Sequence, residues 1–458
     1  MGVHRANGPQ PILSSNWVGR REGWASLMGP AVDDLSLDLC LQPGGKFGAR
    51  DRARLCQFDP AYQWLTGMQV INYHSLSDFR VQNKEALEEL FSQVLAVLSA
   101  EGLITLQGVM HDGTKIRARA SGDTFRREDR IQAYLELARE QVRLMEQAQD
   151  EEISPRVARA RQRAARERVE KLELAQQELE RIRAGKCGEK EKEQARVSIT
   201  DPQARIMKQS DGGFAPSYNV EISTDAASGM IVGIGVSQSN SDYGELVGAV
   251  ERVQENMQSK PEQVVVDGRF ISRDNILKME EMQVDLIGPM ADLKSQSAGQ
   301  MNRRGVDLEF RSEAFSYDPC SDTFTCPAGK VLTYEDKEEC PGKVNYRYRA
   351  VFSECQACRF RDKCCPTATT KGRTIVRGVD HPVVVAFVKK MASEEAEKIY
   401  RTRGAVAEFP NAWIKDKIGL RQFHLRGLVK VCIEALWACL TYNLQQWIRL
   451  SWSSAIAN

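Results

Sequence analysis

Two aspartates each follow a short apolar run of the sequence, and both are of the residue type that binds divalent metal ions. Asp112 follows residues 109–111 (Val-Met-His), and Asp267 follows residues 264–266 (Val-Val-Val). We interpret both runs as strands that end at the aspartate, on the rim of a sheet, where an open α/β fold binds its ligands. Magnesium takes oxygen ligands, so carboxylates from separate elements must converge to hold it. Asp112-Gly113 is also a common turn pair, so a plain turn stays open there.

A third acid, Glu408, lies in the last quarter of the chain. Residues 400–415 read Tyr-Arg-Thr-Arg-Gly-Ala-Val-Ala-Glu-Phe-Pro-Asn-Ala-Trp-Ile-Lys. On a helix, Glu408 and Lys415 share a face because their spacing is close to two full turns. A lone helical glutamate is usually solvated, but this one has apolar neighbours and lies between Arg403 and Lys415. The pattern therefore indicates a buried face with an anion of the size of a phosphate nearby.

The cysteines are concentrated in one segment, which indicates a metal site rather than a disulfide framework. Cys355-Gln356-Ala357-Cys358 followed by Cys364 forms a C-x2-C-x5-C array, and Cys326-Pro327-Ala328-Gly329 resembles half of a zinc knuckle. Tetrahedral zinc needs four thiolates or imidazoles, and a tight pair joined by a distant pair supplies them. Free thiols and an iron–sulfur cluster are the alternatives. The candidate zinc ligands are Cys326, Cys355, Cys358 and Cys364, with Cys320, Cys340 and Cys365 in reserve.

The composition is typical of a soluble globular protein. The 458 residues allow about three domains, and 42% are hydrophobic while 27% are charged. Lys and Arg (63) nearly balance Asp and Glu (62), leaving a net charge of +1. A uniformly basic surface is therefore excluded, and contact with nucleic acid must depend on local basic patches. No apolar run approaches the roughly 18–20 residues of a membrane span, and a secretory signal is not recognisable, so we expect a cytoplasmic protein.

The N-terminal region divides into two parts. Residues 1–50 show no periodic pattern, and we predict that they are poorly structured. In residues 51–105, apolar side chains recur at spacings of three and four, which is typical of amphipathic helices. These helices pack against a neighbour or bind DNA. The apolar positions are Phe79, Leu87, Leu90, Phe91, Val94, Leu95 and Leu98, and Gly102 is the predicted helix stop.

The predicted helices and strands that must position the three acids indicate one α/β domain that is interrupted by two insertions. Residues 106–125 and 197–290 form its first part, which includes an antiparallel hairpin of residues 218–224 and 230–236. Residues 381–450 form its C-terminal part and carry Glu408. Residues 291–380 form a cysteine-rich insertion. The predicted fold class is therefore α/β, with a mixed sheet, a helical N-terminal domain and two insertions.

Residues 126–196 form the other insertion, which is dense in charged residues. Apolar positions step by four and three in two stretches, and Ser154-Pro155 separates them because proline cannot continue a helix interior. Two antiparallel helices that pair along a heptad seam are predicted. The second helix is rich in arginine, and either a solvated surface or contact with phosphates explains this. The arginines are Arg156, Arg159, Arg161, Arg163, Arg166 and Arg168.

Several stretches together resemble a DDE transposase of bacterial insertion sequences, of the insertion-sequence eleven-eighty-two family with its long charged insertion after the first aspartate. The resemblance covers roughly residues 51–450. It rests on residues 64–67 (Trp-Leu-Thr-Gly), 74–80 (His-Ser-Leu-Ser-Asp-Phe-Arg), 112–116 (Asp-Gly-Thr-Lys-Ile), 200–202 (Thr-Asp-Pro), 211–214 (Asp-Gly-Gly-Phe), 218–220 (Tyr-Asn-Val), the Asp267 strand, the helix of residues 400–415 and residues 425–428 (Leu-Arg-Gly-Leu).

The resemblance implies a ribonuclease-H-like catalytic core with Asp112, Asp267 and Glu408 as its metal-binding triad. Two magnesium or manganese ions about 4 Å apart would activate a water or a 3′-hydroxyl and stabilise the leaving oxygen at a DNA phosphodiester. Such an enzyme nicks transposon ends and joins the freed 3′-hydroxyl to target DNA. Tyr400, Arg403 and Lys415 match the family's Tyr/Arg/Glu/Lys signature, which implies contacts with phosphates near the scissile bond.

The resemblance also implies partners. These are double-stranded DNA of the transposon ends and target, and a second copy of the chain in a synaptic homodimer associated with the nucleoid, with no membrane contact. The first 50 residues lack the family's helical start, from which we expect a replaced N-terminus. The alternative functions are a decayed transposase that only binds DNA, and a structural protein built on the helical hairpin and the cysteine segment.

Overall fold

The computed structural model describes residues 49–147, 154–290, 301–366 and 370–457. The predicted poorly structured start, residues 1–50, lies outside this description apart from its last two residues. The chain divides into two units, the first made of Met1–Pro261 with Arg403–Asn458 and the second of Glu262–Thr402. Helices and strands are present in both units, as expected for an α/β protein.

The described part of the first unit begins with helices. The longest of them buries Leu87, Phe91, Val94, Leu95 and Leu98, which confirms the predicted apolar stripe. It ends as predicted at Gly102, whose φ of 73° is in the left-handed region. The backbone N–H of Leu103 then donates to the Leu98 carbonyl over 3.0 Å, as in a Schellman motif. These helices are α1 (Ala49–Phe58), α2 (Pro60–Leu65), α3 (Tyr73–Gln82) and α4 (Lys84–Ala100).

A long central strand organises the sheet of this unit. This strand, β5, pairs antiparallel with β1 along one edge and with β4 and β6 along the other edge. The predicted hairpin of residues 218–224 and 230–236 is confirmed as β5 and β6. The strands are β1 (Val109–Arg117), β4 (Arg205–Lys208), β5 (Phe214–Asp225) and β6 (Ile231–Ser237), with a separate short pair β2 (Phe125–Arg126) and β3 (Val197–Ser198).

Asp112 lies in the middle of β1, and the prediction that the strand ends at Asp112-Gly113 is wrong. Pairing with β5 continues without a break to Arg117. Gly113 serves close packing here rather than a turn, because a Cβ atom added to it would lie 2.8 Å from Glu221 Oε1 on the paired strand. Side chains alternate across a strand, so Asp112 and Thr114 share one face of the sheet while His111 and Lys115 share the other.

The charged insertion folds as the predicted helical hairpin. Helix α5 (Glu128–Gln147) packs against helix α6 (Pro155–Ala184), and Pro155 occupies the first turn of α6, where its missing N–H costs nothing. A short helix, α7 (Glu189–Glu193), follows. The buried seam consists of Ile131, Leu135, Ala138, Leu172, Ala175 and Leu179.

Three further helices belong wholly or partly to the first unit. They are α8 (Leu246–Met257), α13 (Glu394–Asp416), which is in the first unit from Arg403 onward, and α14 (Leu428–Ala457). Helix α14 packs on β6 and α4. Its Asn443 side chain accepts a hydrogen bond from the Ile231 N–H and donates one to the Ile231 carbonyl, both over 2.8 Å. No described helix is both long enough and apolar enough to cross a membrane.

The second unit contains two separate groups of elements. The first group is β7 (Gln263–Val266), α9 (Arg273–Glu281) and β8 (Asp285–Ile287), in which the two strands pair in parallel. Asp267 directly follows β7, as predicted. The second group is an antiparallel sheet in the cysteine-rich segment, in the order β13-β12-β11-β10-β9, which the sequence analysis did not foresee.

The elements of the cysteine-rich segment pack around one small core. The buried side chains of this core are Phe315, Phe324, Leu332, Tyr348, Ala350 and Ile375. The elements are β9 (Ser316–Asp318), β10 (Thr323–Thr325), β11 (Val331–Cys340), β12 (Lys343–Ala350), α10 (Phe352–Gln356), α11 (Arg361–Cys364) and β13 (Thr374–Asp380). Helix α12 (Pro382–Met391) follows the segment and packs against α9.

Candidate functional site

Helix α13 lies against the Asp112 face of β1. The Asn411 side-chain amide Nδ2 donates a hydrogen bond to Asp112 Oδ2 over 3.2 Å and a second one to the Ala407 carbonyl over 3.2 Å. Arg403 Nη2 lies 3.8 Å from Asp112 Oδ1. Since Arg403 is only 8% exposed, its guanidinium offsets the charge of the Asp112 carboxylate inside the protein rather than in solvent.

A second cation of the same helix reaches the same strand. Lys415 Nζ donates a hydrogen bond to Thr114 Oγ1, two residues beyond Asp112 on the same face of β1. Burial lowers the pKa of the Lys415 ammonium below its ordinary value, and the nearby Asp112 carboxylate opposes this shift. Arg403, Asn411 and Lys415 are spaced by eight and four residues, so they form one stripe of α13.

Glu408 lies on the same helix but is exposed to solvent. A Cβ atom added to Gly404 would be 3.7 Å from Glu408 Oε1, so the glycine one turn earlier leaves room for the carboxylate. Tyr400 precedes this segment on α13, where it is half-buried and belongs to the second unit. Asp267 also belongs to the second unit, where its Oδ1 accepts a hydrogen bond from the Arg269 N–H over 3.4 Å.

Asn411 was not predicted as a site residue, because an asparagine in a sequence does not by itself indicate a functional role. The spacing of Arg403, Ala407, Asn411 and Lys415 is the pattern from which it could have been found. These residues recur at every fourth position and define the face of α13 that is directed to β1. Glu408 lies on the edge of that face, which agrees with its exposure.

The Asp112 carboxylate fits a hard cation in its chemistry. Its oxygens are of the kind that magnesium prefers, and the side chain keeps 22% of its surface exposed to solvent. Within the described parts of the chain, no three His, Cys, Asp or Glu side chains lie close enough together to hold a metal ion. The predicted triad of Asp112, Asp267 and Glu408 therefore stays a prediction.

The opposite face of β1 carries a buried polar network. His111 Nε2 lies 2.9 Å from Glu221 Oε2, and His111 Nδ1 lies 2.9 Å from Ser223 Oγ. The histidine and the glutamate are almost completely buried. Each supplies the other with a hydrogen-bond partner, without which burial of its polar atoms would cost free energy. His111 is therefore a packed residue of the strand. The network extends through Asn219 and Asp242 to Lys115.

Most cysteines of the second unit line one small cavity of about 30 Å³. All four candidate zinc ligands are among its lining residues, and so is Cys365. Cys320 and Cys340, which the sequence also offered, are exposed and do not line it. Burial raises the pKa of the Cys364 thiol to about 12, and the neighbouring Cys365 and Cys355 contribute in the same direction.

The chain was compared with known protein families. Residues 325–448 match the family model of the transposase DDE domain, while no curated protein matches the chain. The matched segment contains the cysteine cavity and helix α13 with Glu408, and it does not include Asp112 or Asp267. The similarity of residues 325–448 to this domain therefore supports a DDE transposase.

Proposed function

We propose that the protein is a transposase of the insertion-sequence eleven-eighty-two family. It binds the ends of its element and carries out metal-dependent cleavage and strand transfer of DNA. The proposal is supported by the family match over residues 325–448 and by the residues that surround Asp112 in the first unit.

One observation carries the proposal. The hydrogen bond from Asn411 to Asp112 joins the strand of the first predicted acid to the helix of the third, across 299 residues of sequence. Neither packing of a helix on a sheet nor burial of apolar surface requires an acid at this point. A buried cation, an amide and a partly exposed carboxylate at one place are what a phosphoryl-transfer site needs before its metal ions bind.

The residues that would hold the metal ions are Asp112, Glu408 and Asp267. When bound, two such ions activate the attacking oxygen and stabilise the leaving oxygen of an in-line displacement. The protein's own contribution is positional. Asn411 holds the Asp112 carboxylate by its Oδ2 atom, and Arg403 keeps the charge of the carboxylate compensated while the site is empty of DNA.

In this proposal, Lys415 and Tyr400 interact with the DNA substrate. Lys415 is bound through Thr114 to the strand of Asp112, so its ammonium is held close to the position of the scissile phosphate as a point charge. Tyr400 lies three residues before Arg403 on the same helix and would contact the DNA backbone. Arg403 would exchange part of its contact with Asp112 for a phosphate oxygen.

The fold around these residues is a ribonuclease-H-like core in our proposal. Two features support it. Long antiparallel strands β1, β5 and β6 come first in the chain, and a parallel β7–α9–β8 unit follows, with Asp267 directly after β7. Acids on β1, directly after β7 and on helix α13 are the arrangement expected from the resemblance.

The test uses the full chain and DNA duplexes made from the sequences that flank its gene, where the proposed function requires inverted repeats. With magnesium or manganese, we expect strand cleavage at the ends of these repeats. Asp112→Asn, Asp267→Asn and Glu408→Gln should abolish detectable cleavage while duplex binding persists. The matched control is Glu397→Gln, which removes an exposed acid of the same helix.

Two results would contradict the proposal. If Glu408→Gln cleaved DNA at the parental rate, Glu408 would be excluded as the third metal ligand. Duplex binding by the parent chain without any cleavage would favour the alternative of a decayed transposase that only binds DNA.

A further inference from the structure

We propose that the cysteine cavity of the second unit binds one structural zinc ion through Cys326, Cys355, Cys358 and Cys364. The ion would tie the turn between β10 and β11 to the helices α10 and α11. This inference does not rest on the proposed function, because it concerns metal content and folding rather than activity on DNA.

The first argument is the shape of the turn that carries Cys326. The Cys326 N–H donates to the Lys330 carbonyl over 2.9 Å, and the Gly329 N–H donates to the Cys326 carbonyl over 2.8 Å. Gly329 adopts a φ of 76° that favours glycine. This tight turn brings the Lys330 N–H to 3.3 Å from Cys326 Sγ. Backbone donors directed at a sulfur stabilise a thiolate ligand.

A backbone N–H also reaches the sulfur of Cys355, in another part of the segment. Cys355 and Cys358 stand at the end of α10, where the Cys358 N–H donates to the Cys355 carbonyl over 3.3 Å. The Arg373 N–H donates to Cys355 Sγ over 3.4 Å. The sulfurs of Cys326 and Cys355 therefore each receive a backbone N–H, although the two residues come from different parts of the segment.

The third argument is the cavity itself. A volume of about 30 Å³ lined by these thiols is of the size that one ion or one water fills. Within the described residues the sulfurs do not yet form a group that closes around an ion. Neutral thiols have no reason to converge, whereas a metal draws them to about 2.3 Å from itself.

The charge around the cavity fits zinc with four thiolates, a group of net charge −2. Three cations and one acid line the cavity, namely Lys330, Arg361, Arg373 and Glu354, and the Glu354 carboxylate pairs with Lys330 over 3.4 Å. The Arg373 side chain is only 8% exposed, and it is fixed by hydrogen bonds from Nη1 to the Cys364 carbonyl and from Nη2 to the Phe310 carbonyl. Thiolates on zinc would supply a counter-charge to this buried guanidinium.

Cys364 is the better fourth ligand than its neighbour Cys365. Cys364 packs against the aromatic core of the sheet together with Cys326 and Cys355, whereas Cys358 and Cys365 do not. Cys358 is assigned through its C-x2-C spacing from Cys355. The core is small, and small cores commonly depend on a metal or a disulfide for stability.

The first experiment measures metal in the purified full chain. We expect about one zinc ion per chain by mass spectrometry of the metal, and the visible absorption of a tetrahedral cobalt tetrathiolate after replacement of zinc by cobalt. Reduced chain that binds neither zinc nor cobalt would overturn the proposal, and so would stoichiometric iron with sulfide.

Single variants then assign the ligands. Cys326→Ser, Cys355→Ser, Cys358→Ser and Cys364→Ser should each weaken zinc binding at least tenfold in a competition with a chelator, whereas Cys320→Ser, a matched exposed cysteine outside the cavity, should not. Retention of the zinc by Cys355→Ser would overturn the site. Loss of zinc in Cys365→Ser but not in Cys364→Ser would overturn the ligand set. If a variant fails to fold, the cobalt spectrum of the parent chain still decides the proposal.

Discussion

Asn411 and Asp112 are joined by a hydrogen bond of 3.2 Å although 299 residues separate them in sequence. The Asn411 side chain is 7% exposed, and its Nδ2 is further fixed by the Ala407 carbonyl. The amide therefore has little freedom to turn away. The orientation of the Asp112 carboxylate is set by helix α13, so a change in this helix acts directly on the first predicted metal ligand.

Replacement of Asn411 by alanine should lower the rate of DNA cleavage about 10- to 100-fold, as is usual when a group that orients a metal ligand is removed. The loss should be smaller at high magnesium, because the less well oriented carboxylate still binds the ion. Cleavage rates over a magnesium titration measure this. Thr402→Ala, an exposed position of the same helix, is the control, and an unchanged magnesium dependence in Asn411→Ala would contradict the orienting role.

The buried Lys415 side chain should make the free energy of unfolding of the protein depend on pH. Burial lowers its pKa in the folded state below the ordinary 10.5, so the unfolded chain binds more protons between the two pKa values. The free energy of unfolding therefore rises with pH in that window. The cost of the buried charge is complete below the folded-state pKa and is relieved as the pH approaches 10.5.

The comparison is between the parent chain and Lys415→Met. We expect the parent to gain stability relative to the variant from pH 7 toward pH 10.5, as measured by urea denaturation at several pH values. A difference between the two chains that is constant with pH would show that Lys415 does not lose its proton early.

Gly113 should not tolerate a side chain. Gly113→Ala brings a methyl group to 2.8 Å from Glu221 Oε1 in the buried network of the sheet, and overpacking of this kind costs about 1–3 kcal/mol. Gly122→Ala is the matched control, because a Cβ atom there meets nothing within 4 Å. Thermal unfolding of both variants measures the difference, and equal stability would contradict the close packing of β1 and β5.

The helical hairpin offers a pair of leucines with opposite environments. Leu172 is 3% exposed in the seam between α5 and α6, whereas Leu174 is 37% exposed. Leu172→Ala should destabilise the hairpin by about 2–5 kcal/mol, and Leu174→Ala should have little effect. Circular dichroism during thermal unfolding reports the loss of helix, and a larger effect at Leu174 would refute the predicted seam.

The sequence was sufficient where a periodic pattern decides the structure. The seam of α5 and α6 and the apolar stripe of α4 were predicted because the spacing of their apolar residues is itself the cause of burial. Asp267 was predicted after a strand for a similar reason, since three valines in succession fit a buried strand. The β5–β6 hairpin followed from two apolar runs and a turn.

The sequence was insufficient where a long-range contact decides the structure. The end of β1 was predicted too early because Asp112-Gly113 looks like a turn, whereas pairing with β5 holds both residues in the strand. Asn411 has its role only through β1, which no local pattern indicates. The cysteine-rich sheet was missed because much of β11 is exposed, and exposed strands lack the apolar alternation by which strands are recognised.

The Asn443 side chain limits where a strand of a second copy of the chain could pair with β6. Its amide bonds both backbone groups of Ile231, which is how a neighbouring strand would bond them. Helix α14 thus blocks strand addition at this point of β6, and a row of exposed backbone groups that invites aggregation is avoided there. A second copy of the chain therefore cannot extend the sheet from Ile231 while Asn443 occupies these backbone groups.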